Sequence, residues 1–160
     1  MTTTTAVSEQ RERLLDTLDA AWTALGDSYA GLSDAQMVEP GVVDDWSVRD
    51  ILAHVTAWEE EALRHLPQVI AGGTPPRYAA QGGIDAFNAR ATEAGRRLSL
   101  AEVLRRRDET HARLLEFIRS QREGTFAGQT RARRRLRLDT WGHYPEHTAA
   151  IRAWRARLPT

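Results

Sequence analysis

The chain has 160 residues, 22 basic and 22 acidic side chains, five histidines and no cysteine. That length suits one domain with a real core, and the missing cysteine excludes disulfides, thiolate metal sites, iron–sulfur clusters and cysteine nucleophiles. A net charge of +0 argues against a protein built to bind nucleic acid or an anionic membrane, so neither is expected as a partner.

Every basic residue is arginine and none is lysine, which removes Schiff-base and P-loop lysines from the candidate chemistry. The opening MTTTTAVSEQRER is polar, without the apolar core of a signal peptide, and no apolar run reaches the length of a membrane span. The expectation is a soluble, cytoplasmic protein with residues 1–7 disordered and one domain over residues 8–160.

From Ser8, Leu14, Leu15, Leu18, Ala21, Trp22, Leu25, Tyr29 and Leu32 fall at the three-and-four spacing of a long amphipathic helix. Glu39-Pro40-Gly41 breaks it. Ser47-Val48-Arg49-Asp50 reads as a capping box, opening a helix whose stripe includes Ile51, Leu52, Val55, Trp58, Ala62, Leu66 and Val69 before Gly72-Gly73. A long Gly/Pro-rich connection from Gly72 to Gly83 precedes a short, mostly polar helix over Asp85–Arg97. Ser99-Leu100-Ala101-Glu102 is a second capping box, starting a helix with Val103, Leu104, Leu114, Leu115 and Ile118. Gly124–Arg137 reads as irregular and rich in arginine, and a last helix carries Trp141, Tyr144, Ile151, Trp154 and Leu158 on one side. No strand of convincing length is present. Four long helices predict an all-α, four-helix bundle with a long connection between the second and third.

His143 and His147 stand four apart, so on a helix both rings leave one face and can chelate a first-row divalent ion. His54, at the margin of the second helix's buried stripe, can supply a third nitrogen across the bundle. Three histidines leave open positions on an ion, the pattern of a catalytic metal. His65 lies eleven residues beyond His54, roughly 16 Å along a helix, and cannot join the same site. His111 falls on the third helix's apolar stripe and reads as a core residue or one supporting a ligand from behind, with a ligand role as the alternative. His143-Tyr144-Pro145-Glu146-His147 also matches a metalloprotease pattern, but Pro145 does not suit the uninterrupted helix that pattern needs, unless it marks a first turn. Glu146 is a candidate general base, with a solvated position as its alternative. The run Arg131, Arg133, Arg134, Arg135, Arg137 reads as a solvated face or as a clamp for a carboxylate or phosphate near the metal, with Arg137 nearest the histidine pair. Trp58, Trp141 and Tyr144 are candidates for lining a ligand cleft; the alternative is that these aromatics are bundle core, a reading that suits Trp58 best.

The segment Trp46-Ser47-Val48-Arg49-Asp50-Ile51-Leu52-Ala53-His54-Val55-Thr56-Ala57-Trp58 resembles the second-helix signature of the DinB-like superfamily. Ile84-Asp85-Ala86-Phe87-Asn88 with Leu98–Leu104, and Asp139-Thr140-Trp141-Gly142-His143-Tyr144 with Ile151–Trp154, are similar to later segments of its ClbS/DfsB branch. The three stretches keep the family's order, and the resemblance extends over nearly the whole chain from about Ser8. It implies an up-down-down-up bundle, often a homodimer, with nickel or zinc held by one histidine of the second helix and an H-x-x-x-H pair of the last. Carried over, those residues are His54, His143 and His147. The resemblance also implies a small-molecule substrate and, in some members, a low-molecular-weight thiol. Three functional classes stay open: a metal-dependent hydrolase or thiol transferase, a ClbS-like resistance protein that binds or hydrolyses a reactive metabolite without metal, and a non-catalytic scaffold.

Overall fold

The structure, a computed structural model, describes the backbone of residues 2–159 and the side chains of residues 9–159. Among them are seven α-helices, one 3₁₀ turn and no strand beyond an isolated bridge between Val43 and Trp46. The helices are α1 (Thr2–Tyr29), α2 (Asp34–Met37), α3 (Val48–Ile70), α4 (Gly83–Arg96), α5 (Leu100–Ser120), α6 (Arg131–Asp139) and α7 (Tyr144–Arg155), with the 3₁₀ turn at Tyr78–Gln81. Of residues 1–7, expected to be disordered, Met1 lies outside the described residues, and the backbone from Thr2 onward is the start of helix α1.

The four layers of the bundle are α1, α3, α5 and the broken pair α6–α7. Helix α3 packs against α4, α5 and α6, while α1 packs against α7. Both capping boxes form as the sequence indicates. Ser47 accepts from the Asp50 N–H and Ser99 from the Glu102 N–H, each carboxylate returning to its cap's backbone. Such a cap contributes about 1 kcal/mol by pairing backbone donors the helix cannot satisfy. Ser33 forms a third box on the short α2.

Two apolar clusters fill the interior. One gathers Leu25, Val48, Ile51, Leu52, Val55, Val103 and Ile151; the other gathers Leu14, Leu18, Ala62, Leu66, Leu114, Ile118 and Leu136. Each leucine or isoleucine so enclosed stabilises the fold by roughly 1.5–3 kcal/mol. Between Val55 and Ala62 of α3 lies Glu59, fully buried, accepting from the Tyr144 hydroxyl and pairing with His111 Nδ1 at 2.9 Å. The His111 ring stacks on Trp22 at 3.6 Å with the Arg107 guanidinium 4.0 Å from the Trp22 ring centre. This polar layer joins α1, α3, α5 and α7 across the middle of the bundle.

Two local readings need correction. Part of the segment expected to be irregular is helix α6, because Thr130 caps it by accepting from the Arg133 N–H and because Ala132 and Leu136, four apart, are buried on one face. The last helix is also interrupted. After Asp139 the Gly142 N–H turns back to the Arg137 carbonyl at 2.9 Å, and α7 restarts at Tyr144. Pro145 therefore occupies α7's first turn, where no intrahelical donor is required of it.

Candidate functional site

His54 lies in the second turn of α3, fixed by the Ser47 cap, and is 4% exposed. His143 is the residue immediately before α7 and His147 lies in its first turn, so the interruption after α6 aims both rings at α3. His143 Nε2 stands 3.0 Å from His54 Nε2 and 2.9 Å from His147 Nε2. The ligand atoms of all three lie within 4.8 Å of one another, the one such group of histidine or acidic residues that could hold an ion among the described residues. His65, as the spacing required, is elsewhere, paired with Glu61 at 3.0 Å. His111 belongs to the buried layer described above.

Burial, with mutual repulsion, lowers the His54 pKa to about 3 and the His147 pKa to about 3; burial lowers His143 to about 4. All three imidazoles are therefore neutral near pH 7. The Nδ1 atoms of His54 and His143 are buried without a protein partner. Glu146, exposed and in the same first turn, brings Oε1 to 3.4 Å from His147 Nε2 and 3.6 Å from His143 Nε2.

A cleft of about 350 Å³ opens beside the triad, lined by His54 and Trp58 of α3, Tyr78 of the 3₁₀ turn, Asn88 of α4, Arg135 and Asp139 of α6, and His143 and Glu146 of α7. Trp58 is half-buried and donates Nε1–H to Asn88 Oδ1 at 3.0 Å. Arg135 Nε donates to Asp139 Oδ2 at 2.6 Å and Nη2 to the Tyr78 hydroxyl at 2.8 Å; that hydroxyl donates to Glu61 Oε2 at 2.9 Å. Burial pushes the Asp139 carboxyl up to about 7 against the opposing pull of Arg135. Exposed Ile84 and Leu138 form apolar lips.

Of the candidate residues, the fold brings together His54, His143, His147, Glu146 and Trp58. It does not bring Trp141, Tyr144 or Arg137 to the cleft. Trp141 sits in the turn after α6 and packs on the second apolar cluster, with Arg133 5.6 Å from its ring centre. Tyr144 is fully enclosed, its hydroxyl on Glu59. Arg137 is exposed; two residues along a helix is about 200° of rotation, so Arg135 faces the cleft and Arg137 faces away. Asp139 was legible in principle, since it stands four residues after Arg135 and pairs with it once the segment is helical. Tyr78, in the Gly/Pro-rich connection, carried no such signal.

The DinB superfamily model matches residues 17–147. The chain belongs to the DinB superfamily. This DinB bundle is similar in fold to the sibling lethal factor precursor DfsB, with a TM-score of 0.72 and 19% identity over 92% of this chain and 95% of that one. It is likewise similar to the colibactin self-resistance protein ClbS, solved in complex with a dsDNA, with a TM-score of 0.77 and 16% identity over 93% and 97% of the two chains. No curated protein matches the chain. The ClbS complex overturns the exclusion of nucleic acid as a partner. That exclusion rested on zero net charge, a whole-chain sum that ignores how charge is distributed over a surface. No helix among the described residues is long and apolar enough to cross a membrane.

Proposed function

We propose that this DinB protein is a small-molecule enzyme in which His54, His143 and His147 hold a divalent ion, nickel or zinc, at the floor of the cleft. The observation that carries the reading is the convergence of three Nε2 atoms from α3 and α7, two pairs of them 2.9–3.0 Å apart. Three imidazole nitrogens gathered within 4.8 Å of one another would suit the nitrogen-rich donor set of a divalent ion that keeps further positions open. A neutral imidazole can bridge one such pair as an Nε2–H donor, but His143 Nε2 has two imidazole nitrogens within 3.0 Å, and a single cation among the three satisfies every Nε2 lone pair at once.

A bound ion would supply a Lewis acid that polarises an electrophile or acidifies water. The protein's own groups do the rest. Glu146, solvated beside the triad, accepts a proton from the attacking nucleophile, and Trp58 with the apolar lips holds the substrate's body against the histidines. Because the chain has no cysteine, any thiol in the reaction arrives as a separate low-molecular-weight co-substrate. The reading includes a cytoplasmic homodimer.

Elemental analysis of protein purified without a metal-affinity tag tests it. Near-stoichiometric nickel or zinc is expected in wild type and a large loss in His143→Ala. A metal-free wild type whose added-metal affinity equals that of His143→Ala would remove the proposal.

The fold shared with DfsB and ClbS favours a second reading, a resistance protein that binds or hydrolyses a reactive metabolite without metal. Duplex DNA is among the ligands it admits, with exposed Arg131, Arg134 and Arg137 of α6 as the cations to remove. Undiminished protection of cells or DNA by chelated protein, and by His143→Ala, would favour this reading over the first.

A further inference from the structure

The charges around the cleft carry information about its ligand that the histidines do not. Its lining holds one cation, Arg135, and two carboxyl groups, Asp139 and Glu146, beside the neutral His54 and His143 and the polar Tyr78 and Asn88. Arg135 is 17% exposed and held at two points, by Asp139 through Nε and by Tyr78 through Nη2. Tyr78 is anchored in turn on Glu61, a buried carboxylate that also pairs with Arg64 and His65. The guanidinium is thus pre-positioned, yet its charge is already matched by Asp139. An arginine has five N–H donors and two are engaged here, so it retains donors without an unmatched charge. Asn88 is set similarly. The Trp58 N–H can only donate, so it fixes the Asn88 amide oxygen and leaves the amide NH₂ to other partners.

An anionic ligand in this cleft would meet a neutralised cation and the exposed carboxylate of Glu146, whose near neighbours among the described residues are the neutral imidazoles of His143 and His147. A neutral oxygen meets unspent N–H donors and no repulsion. The rim adds apolar surface, with Ile84 52% and Leu138 71% exposed. We propose that the cleft selects an uncharged, largely apolar molecule bearing a carbonyl- or amide-type oxygen, received by the spare N–H groups of Arg135 and Asn88, and that Asp139 sets this selectivity by cancelling the charge of Arg135. The inference rests on the cleft being the substrate site, but not on a metal being present.

The test uses metal-stripped full-length protein and matched amide–carboxylate pairs such as phenylacetamide and phenylacetate, titrated by ligand-observed NMR. About pH 8 is chosen, where the Asp139 carboxyl, raised to about 7, is ionised. The groups facing Asp139 are Arg135 on its own helix, Tyr78 and Glu61 across from it, and His54, His143 and Glu146 around the cleft. Wild type is expected to bind the amide about tenfold more tightly than the carboxylate, a difference of about 1.4 kcal/mol. Asp139→Asn, which keeps an acceptor for Arg135 but not the charge, should bring the carboxylate to parity or better. Arg135→Gln should weaken the amide and leave the carboxylate no better. Should Asp139→Asn not fold, acidifying wild type to about pH 6 must narrow the same ratio by protonating Asp139. Equal or tighter binding of carboxylates by wild type, a ratio unmoved by both Asp139→Asn and acid, or no binding of any pair would overturn the inference. Because the protein is stripped of metal, a failed elemental analysis sinks the metal reading and leaves this one, and a failed charge preference does the reverse.

Discussion

Acid should destabilise the metal-free protein steeply, because the fold keeps three histidines unprotonated. The folded pKa values of His54, His143 and His147, about 3, about 4 and about 3, lie below the ordinary 6.5. Between these limits the unfolded chain binds three protons that the native state excludes, so stability is present above about pH 6.5 and is lost as pH falls. Each such group contributes a slope of up to about 1.36 kcal/mol per pH unit. Asp139 acts in the opposite sense. Its folded pKa of about 7 is above the ordinary 3.8, so over the same range the native state holds a proton that the unfolded chain has released. Three protons against one leaves a net of two. With histidine only partly protonated near pH 6, the loss between about pH 6 and pH 5 comes to roughly 2–3 kcal/mol. That is a large part of the roughly 5–15 kcal/mol typical of a folded domain. Urea unfolding of chelator-treated protein at stepped pH measures it. Asp139→Asn should steepen the slope by about 1.4 kcal/mol per unit, and His54→Ala should reduce it by a similar amount. A wild-type slope below about 1 kcal/mol per unit, or variants that leave the slope unchanged, would refute the assignment of neutral, buried histidines.

Two further substitutions test how the site is held. Tyr144→Phe removes the hydroxyl that Glu59 accepts from, and loss of a bond to a buried carboxylate should cost about 2 kcal/mol in a urea titration near pH 7. Pro145→Ala, in α7's first turn, should change stability by less than about 1 kcal/mol and leave metal affinity intact, checked by urea titration and a competition chelator. A tighter helix or an altered affinity would mean that the proline does shape the histidine pair.

Where information was local, the sequence carried it. Ser47 with Asp50 and Ser99 with Glu102 mark two helix starts because a cap is made within four residues, and the apolar stripes of α1, α3 and α5 identify their buried faces. His143 and His147 could be paired from spacing alone, since one turn of helix suffices to set two rings side by side. The α6 helix was hidden by its five arginines, whose exposure obscured the buried Ala132 and Leu136.

By itself, then, the sequence determined an all-helical bundle, a cysteine-free chemistry and three histidines as the candidate ligands. Tertiary structure decided which neighbours share their cleft. Arg135 rather than Arg137 faces it, because a helix turns about 100° per residue and only docking fixes its orientation. Tyr144 is committed to the interior, Trp141 packs half-buried against the second apolar cluster, and Asp139 is enclosed against Arg135 from a segment whose composition reads as solvent-facing. Zero net charge is a sum over the whole chain and has no address. The charge a ligand meets is that of the few groups folding has gathered around one cleft.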